Sequence, residues 1–348
     1  MTESRTDPDL LYVGTYTEHI YLLRMDRRSG ELLRVGSAEA GPNPSFLALH
    51  PNSRVLYAVN ERDQGAVRAF TIERATGALT LLNEQPSQGG APCYVSVDRS
   101  GRALLVANYG GGNVALLPVE TNGALASAHV VQHTGTGPNA ERQEAPHAHC
   151  IIPDPSNRFA LAADLGADRV FVYRLDLNGK ALHHLGEAVM RPGAGPRHLA
   201  FHPTLPLVFV ANELDSTVAT LRFDAERGAL APQSTISTLP AGWTGTNYPA
   251  DIHVAANGRT LYVSNRGHNS IAVFAVAAST GALTVEQVLA TEGDWPRNFT
   301  LDPTGRWLLV ANQRSNAVVV FGCDRDTGRL TLTQQRIEIP SPVCLRFA

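Results

Sequence analysis

Short apolar runs separated by turn-forming residues recur along the whole chain. In one representative stretch the mostly apolar runs cover residues 46–49, 56–59, 67–72 and 79–82. Runs of this length suit β-strands, and the 3.6-residue periodicity of an amphipathic helix is not sustained anywhere. The pattern therefore predicts an all-β chain built from short strands.

A glycine turn repeats along the chain at a nearly constant interval of about 50 residues. In each copy a short polar stretch leads to Gly, and Leu follows within two or three residues. The glycine is expected to supply the positive φ of a short hairpin loop. The glycines of the seven copies are Gly30, Gly77, Gly123, Gly179, Gly228, Gly281 and Gly328.

A proline recurs with the same period and precedes the first apolar run of each repeat. Four short strands repeated radially are typical of a β-propeller. Seven copies predict a seven-bladed β-propeller with four-stranded antiparallel blades. The prolines taken as markers are Pro44, Pro92, Pro146, Pro196, Pro249, Pro296 and Pro342.

The two ends of the chain are complementary. The first repeat begins at residues 11–13, already in a second strand, whereas the last proline-led run, residues 342–347, has no further strand after it. The C-terminal strand is therefore expected to join blade 1 and close the ring, which removes an open sheet edge. Because no linker interrupts the period, residues 1–348 are predicted to form a single domain, with a flexible N-terminus at residues 1–10.

Charge and cysteine content narrow the function classes. The 348 residues carry 29 Lys and Arg against 32 Asp and Glu, a net charge of −3, so nucleic-acid binding is disfavoured. Neither a signal peptide nor a membrane-length apolar run is evident. The four cysteines form no C-x-x-C pair. We expect a cytoplasmic protein with a small-molecule ligand and no nucleic-acid or membrane partner, as a monomer or a weak homo-oligomer.

The predicted topology brings two sets of residues to one mouth of the central channel. In an up-and-down blade, the start of the first strand and the end of the second lie on the same rim, where function is commonly carried. The residues that follow the prolines are Ser45, Cys93, His147, Arg197, Ala250, Arg297 and Val343. The residues that follow the second strands are Tyr16, Glu61, Tyr109, Leu165, Glu213, Arg266 and Gln313. Two longer connections, residues 132–145 and 237–248, are expected to cover part of this mouth.

Arginines outnumber carboxylates among the charged residues expected near the mouth. Guanidinium groups suit carboxylate or phosphate oxygens, so an anionic small molecule is the expected ligand. A surface ion-pair network is the alternative interpretation. The charged residues are Arg142, Arg197, Arg266 and Arg297 against Glu213, Asp164 and Asp251.

Two histidines stand out when the repeats are compared. His149 lies three residues after Pro146, where the other repeats place Leu, Val, Ile or Phe, and His147 lies two residues earlier. A histidine in an inter-blade packing position must have its nitrogens paired, so a structural histidine remains an alternative to a catalytic one. Zinc held by both histidines and Glu213 is a further alternative. Because the arginines would repel a cation, no metal or other cofactor is expected.

Several short motifs together resemble one known family. They are Pro146-His147-Ala148-His149, Ala163-Asp164-Leu165-Gly166, Pro196-Arg197-His198, Ala211-Asn212-Glu213-Leu214, Ser264-Asn265-Arg266-Gly267-His268 and Trp295-Pro296-Arg297-Asn298-Phe299. With residues 135–139 and 142–144 they look like the cytosolic seven-bladed lactonase family, which contains propeller-type 6-phosphogluconolactonases and 3-carboxymuconate lactonizing enzymes.

The resemblance implies an active site formed by a His, a Glu and two Arg. These roles match His149, Glu213, Arg197 and Arg266 best, with His147 as a rival for the first. The other substrate-binding candidates are His147, Arg142, Gln143, Asp164, Asp251 and Arg297.

The chemistry expected from these residues is work on an anionic lactone. Hydrolysis needs a base for water, cations for the anion and donors for the oxyanion. In this scheme Glu213 orients the imidazole of His149 or is itself the base. The expected function is hydrolysis of 6-phosphogluconolactone in the pentose phosphate pathway. The alternatives are a carboxymuconate-type cycloisomerase and a non-enzymatic propeller scaffold. A serine nucleophile of the G-x-S-x-G kind is not supported by the sequence.

Overall fold

Strands account for the regular secondary structure of the described part of the chain. The computed structural model describes residues 9–348, and within them no helix is long and apolar enough to cross a membrane. The strands, in chain order, are β1 (Asp9–Thr15), β2 (His19–Met25), β3 (Leu32–Glu39), β4 (Leu47–Leu49), β5 (Val55–Asn60), β6 (Ala66–Ile72), β7 (Leu79–Pro86), β8 (Pro92–Val97), β9 (Ala103–Asn108), β10 (Asn113–Pro118), β11 (His129–Gln132), β12 (Ala148–Pro153), β13 (Phe159–Asp164), β14 (Arg169–Asp176), β15 (Ala181–Val189), β16 (Pro196–Phe201), β17 (Leu207–Asn212), β18 (Thr217–Asp224), β19 (Ala229–Ser237), β20 (Tyr248–Val254), β21 (Thr260–Arg266), β22 (Ser270–Val276), β23 (Leu283–Ala290), β24 (Pro296–Leu301), β25 (Trp307–Asn312), β26 (Ala317–Cys323), β27 (Leu330–Glu338) and β28 (Pro342–Phe347).

These strands form seven four-stranded antiparallel sheets within residues 9–348. Blade 1 has the order β28-β1-β2-β3, and blades 2–7 each use four consecutive strands that begin with β4, β8, β12, β16, β20 and β24. The innermost strand of each blade lies against the innermost strands of its two neighbours, so the ring is closed. The prediction of a seven-bladed β-propeller with four-stranded antiparallel blades is confirmed.

The C-terminal strand closes the ring as predicted. β28 pairs with β1 through Leu11 opposite Phe347 and Val13 opposite Leu345. The backbone N–H of Leu345 also donates to Oδ1 of Asn298 in blade 7, at 2.7 Å. Of the N-terminal segment expected to be flexible, residues 1–8 lie outside the described residues, whereas Asp9 and Leu10 belong to β1 and pair with β2.

Burial follows the position of each strand within its blade. The second strands β5, β9, β13 and β17 are buried at every position, since they pack against neighbouring blades on both faces. The outermost strands, such as β3 and β27, alternate between more and less exposed positions. This difference explains why the second strands read as continuous apolar runs in the sequence.

The hairpin glycines adopt the predicted conformation in six of the seven repeats. Their φ values lie between 64° and 90°, in the left-handed region that favours glycine. In blade 4 the residue with positive φ is instead Lys180, at 55°, one position after Gly179.

The register of blade 4 corrects one sequence-based expectation. Pro196 of β16 lies opposite Asn212, and in blade 4 the equivalent pair is Ala148 opposite Asp164. Blade 4 is therefore displaced by two residues from the spacing that Pro146 suggested. The expectation that His149 occupies the apolar packing position of the other repeats is wrong, because Ile151 occupies it.

Candidate active site

In the observed register, His149 is the second residue of β12, the innermost strand of blade 4, at the end where that strand begins. Its equivalents in the other blades are the residues directly after the strand-opening prolines: Ser45, Cys93, Arg197, Ala250, Arg297 and Val343. Five of these six line a cavity on the channel axis, together with Phe46, Glu61 and His198. The polar residues expected at one mouth thus converge there because each innermost strand begins at this rim.

Glu213 is the centre of an arginine cluster. Its carboxylate accepts from Arg142 at 2.7 Å and from Arg266 at 2.6 Å, and Nε of Arg197 lies 3.0 Å away. Burial of Glu213 disfavours its charge, but the three guanidinium groups outweigh this and hold the pKa of the carboxyl at about 2. Glu213 is therefore ionised at neutral pH and positions the arginines.

Arg197 and Arg266 are both held in place from several sides. Nη1 of Arg197 donates to the backbone oxygen of Ala250 and to Nε2 of His198, the latter at 3.1 Å. Nε of Arg266 donates to the backbone oxygen of Tyr248 at 3.1 Å. The pKa of Arg266 is lowered to about 9, because burial and the charges of Arg197 and Arg297 outweigh the opposing effect of Glu213. The mouth therefore has a surplus of positive charge.

A second carboxylate lies on the opposite part of the mouth. Glu61 accepts hydrogen bonds from the hydroxyl groups of Tyr16, at 3.1 Å, and Ser45. The guanidinium carbon of Arg297 lies 5.3 Å from the centre of the Tyr16 ring. Burial opposes the charge of Arg297, but Tyr16, Glu61 and Glu213 together raise its pKa. The sequence predicted that Tyr16 and Glu61 lie at the rim but did not indicate a function for either.

His149 is buried with one ring nitrogen against a thiol. Its Nδ1 lies 3.6 Å from Sγ of Cys93, and its ring makes edge contacts with Tyr109 and His198 at 5.6 and 5.3 Å. Within residues 9–348, no hydrogen bond involves its Nε2. Burial and the positive charge of Arg197 lower the pKa of His149 well below its ordinary value. The imidazole is therefore neutral at physiological pH and can accept a proton at Nε2.

The ring nitrogens of His147 are both engaged by other groups. Nδ1 contacts the backbone oxygen of Tyr109 at 3.0 Å, and Nε2 contacts Glu144 at 3.1 Å. The ring also stacks on that of Tyr109, with centres 4.4 Å apart. This arrangement favours His149 over His147 as the base. The atoms of His147 and Glu213 that would bind zinc in the alternative site are already bonded to other groups.

Three of the other predicted binding residues are engaged in structural contacts. Asp164 is fully buried and bonds His133 and the backbone N–H groups of residues 147 and 167. Asp251 bonds His198, His253 and Asn298, farther along the channel. Gln143 bonds backbone groups of Asn139 and Leu165. The carboxylates and the amide therefore shape the walls and loops that hold the arginines.

Each of the two longer connections carries a residue that lies at the mouth. Residues 132–145 carry Arg142, whose guanidinium bonds Glu213. The connection that ends at Tyr248 places that ring beside Arg142 and Arg266, with each guanidinium carbon 5.8 Å from the ring centre. Trp295 lies next to Tyr248, with ring centres 6.1 Å apart. The sequence-based analysis did not identify Tyr248 or Trp295 as site residues.

A closed seven-bladed ring with histidine and arginines at one mouth defines the class of protein. The chain belongs to the family described as lactonase, seven-bladed β-propeller, which it matches over residues 10–347. It is 40 % identical over 342 residues to 6-phosphogluconolactonase of Bacillus subtilis, covering 97 % of each chain.

Solved structures agree with this assignment. The periplasmic gluconolactonase PpgL of Pseudomonas aeruginosa is 34 % identical, with a TM-score of 0.92 over 98 % of this chain and 99 % of that one. A protein of Lactobacillus plantarum is 36 % identical, with the same TM-score and the same coverage of both chains.

Proposed function

We propose that this chain hydrolyses 6-phosphogluconolactone to 6-phosphogluconate. Similarity to the Bacillus subtilis 6-phosphogluconolactonase over nearly the full length of both chains supports this reaction. The observation that carries the proposal is the charge of the mouth. Four guanidinium groups, those of Arg142, Arg197, Arg266 and Arg297, lie there around the carboxylates of Glu213 and Glu61, while the nearby carboxylate of Asp251 is bonded to His198, His253 and Asn298.

This surplus matches the charge of the substrate. A phosphate monoester carries about −1.5 to −2 charges at pH 7, and guanidinium groups bind its oxygens through charge-assisted hydrogen bonds. A neutral sugar lactone would leave the surplus uncompensated in a buried site. The charge therefore favours a phosphorylated lactone over an unphosphorylated one.

In the proposed mechanism, Nε2 of His149 accepts a proton from water as the water oxygen attacks the lactone carbonyl carbon. The developing oxyanion is stabilised by Arg197, which Glu213 and Ala250 hold in place. The bond between the carbonyl carbon and the ring oxygen then breaks. The proton on His149 passes to the ring oxygen, which becomes a hydroxyl group, and the imidazole returns to its neutral form. The new carboxylic acid, which holds the second proton of the water, releases that proton to solvent and gives 6-phosphogluconate.

A direct assay tests the proposal. The purified chain is expected to accelerate the disappearance of 6-phosphogluconolactone above its spontaneous hydrolysis, and Arg197→Ala is expected to lower kcat/KM by about 10²-fold or more. An exposed arginine in a turn, Arg325→Gln, is the control and keeps full activity. Absence of acceleration by the unmodified chain would overturn the proposal. Turnover of 3-carboxymuconate instead would support the cycloisomerase alternative.

The proposed substrate also bears on cellular context. Its hydrolysis belongs to the pentose phosphate pathway, so we place the protein in the cytoplasm, acting on a free metabolite without a nucleic-acid or membrane partner. Fractionation of cells that express the native chain tests the location. Recovery from the periplasm, where the Pseudomonas aeruginosa gluconolactonase acts, would contradict it.

A further inference from the structure

Arginine and aromatic side chains alternate along one side of the mouth. Arg142 and Arg266 each lie 5.8 Å from the centre of the Tyr248 ring. Arg266 and Arg314 lie 5.5 and 3.5 Å from the centre of the Trp295 ring. Because the two rings are themselves 6.1 Å apart, the order is Arg142, Tyr248, Arg266, Trp295, Arg314. We call this row the arginine–aromatic ladder.

The ladder holds guanidinium groups without neutralising all of them. An aromatic face attracts a guanidinium through its quadrupole and leaves the positive charge in place. Arg142 and Arg266 share one carboxylate, that of Glu213. Arg314 is exposed, and within residues 9–348 no carboxylate forms an ion pair with it. The N–H groups at the solvent end of the ladder are therefore available to an anion.

The backbone at Trp295 indicates that its ring is placed there at some cost. Trp295 has a φ of 64°, in the left-handed region that bulky residues rarely adopt. Small residues occupy the equivalent left-handed position before the proline in four other blades: Asn43, Ala91, Gly195 and Ser341. Hydrogen bonds hold the strained peptide, since its N–H donates to Oδ1 of Asn269 at 2.9 Å and its oxygen accepts from Gln313 at 3.0 Å.

We infer that the ladder is the subsite for the phosphate group of the substrate, while the lactone carbonyl lies at His149 and Arg197. This inference rests on the proposed function and divides the mouth into two parts. The phosphate oxygens accept hydrogen bonds from Arg314 at the exposed end of the ladder, and the charges of Arg266 and Arg142 add electrostatic attraction from farther along it. Trp295 and Tyr248 are positioning residues that space the three cations. The ladder, not the catalytic histidine, then determines the preference for phosphorylated lactones.

The first test compares two substrates in one variant. In Arg314→Gln, the ratio of kcat/KM for 6-phosphogluconolactone to kcat/KM for gluconolactone is expected to fall about tenfold, the usual effect of one lost charge-assisted contact. The loss should come from KM. Arg325→Gln, which removes an exposed charge elsewhere, should leave the ratio unchanged. An unchanged ratio in Arg314→Gln, or an equal loss on both substrates, would overturn the subsite.

The second test separates the ring of Trp295 from its backbone. Trp295→Gly relieves the strained φ and removes the ring, so the Tm should hold or rise while the substrate ratio falls about tenfold or more. Trp295→Phe, which keeps an aromatic face, should recover part of the ratio. Ser341→Gly relaxes an equivalent left-handed position and serves as the matched control. If the substrate ratio falls only when the Tm also falls, and Trp295→Phe does not recover it, a positioning role for the ring is contradicted.

A binding measurement keeps the subsite testable apart from catalysis. Titration by calorimetry should give tighter binding of 6-phosphogluconate than of gluconate, with the difference reduced about tenfold in Arg314→Gln. If the unmodified chain hydrolyses no lactone yet shows this difference, the proposed function fails and the phosphate subsite stands. If both ligands bind equally to the unmodified chain, the subsite is wrong even when the chain is an active lactonase.

Discussion

His149 and Glu213 are both buried at the mouth, and their surroundings shift their pKa values in ways that assign different roles. Burial and nearby cations keep the imidazole of His149 neutral, which suits a base. Three guanidinium groups keep the Glu213 carboxyl ionised far below the pH of any cell. The expectation that Glu213 orients the imidazole is not supported by the geometry, since its carboxylate bonds arginines and Cys93 is the group beside Nδ1.

We predict that the kcat/KM profile for gluconolactone, which carries no phosphate that titrates at about pH 6, lacks an acid limb at the ordinary histidine pKa. Because the pKa of His149 is lowered, its base form persists as pH falls through 6.5, and kcat/KM for gluconolactone should stay level between about pH 7.5 and 5.5. His149→Gln should lower kcat by about 10²–10⁴-fold at every pH in this range. Initial rates corrected for spontaneous hydrolysis measure both effects. A halving of kcat/KM near pH 6.5 in the unmodified protein would contradict the environment described for His149.

We predict that Glu213→Gln costs about 3–5 kcal/mol of unfolding free energy at pH 7, the usual effect of breaking a buried ion pair. The pKa of Glu213 is lowered from 4.5 to about 2, so its ionisation stabilises the fold above about pH 4.5. That contribution is lost as pH falls toward 2. The difference in Tm between the unmodified protein and the variant should therefore be largest near neutral pH and shrink in acid. The exposed carboxylate variant Glu286→Gln, as control, should show no such difference.

At the scale of strands and loops, the sequence predicted the order of the repeating strands correctly but displaced the residues of β12 by two positions. Apolar runs and hairpin glycines specify strand order because both are local signals. The register of β12 is not local: Ala148, not Pro146, lies opposite the end of the second strand. The two-residue displacement moved His149 from the apolar packing position to the position that Arg197 holds in blade 5.

The ladder was missed for a related reason. Trp295 and Tyr248 precede the strand-opening prolines, a position to which the repeat comparison gave no weight, and Arg314 lies two residues beyond the end of β25. Their contacts join blades 6 and 7 across the rim, so no signal within one repeat reveals them. The clue that the sequence contains is a pair of aromatic residues, Tyr248 and Trp295, at a position where the other five repeats have Asn, Ala, Gly or Ser.

We predict that Gln143→Ala weakens substrate binding through the loop that carries Arg142. The Gln143 amide accepts from the N–H of Asn139 and donates to the oxygen of Leu165, and these bonds tie residues 132–145 to blade 4. Without them Arg142 is no longer held against Glu213. KM for 6-phosphogluconolactone should rise several-fold while kcat changes less, since Gln143 does not contact His149. An unchanged KM would mean that the loop is positioned by other contacts.

At the scale of the molecule, the arrangement of the blades produces the site. No single blade carries more than a few of its residues: Arg142 lies before blade 4, Arg197 and Glu213 belong to blade 5, and Arg266 and Arg297 come from blades 6 and 7. Each side chain reaches the axis because its strand starts or ends at the same rim. The geometry of the mouth therefore depends on closure of the whole ring.

Closure rests on β28, and we predict that deletion of residues 342–348 prevents stable folding. β28 is the innermost strand of blade 1, so its removal exposes the backbone groups of β1 that now pair with it at Leu11, Val13 and Gly14. It also removes the contacts of Leu345 with Asn298 of blade 7 and of Cys344 with Leu47 of blade 2. Deletion of Ala348 alone, which loses one backbone hydrogen bond to Leu10, is the control. Size-exclusion chromatography and thermal unfolding should show aggregation or a large fall in Tm for the longer deletion and little change for the control. A monodisperse protein of unchanged Tm after loss of residues 342–348 would mean that the ring does not depend on this seam.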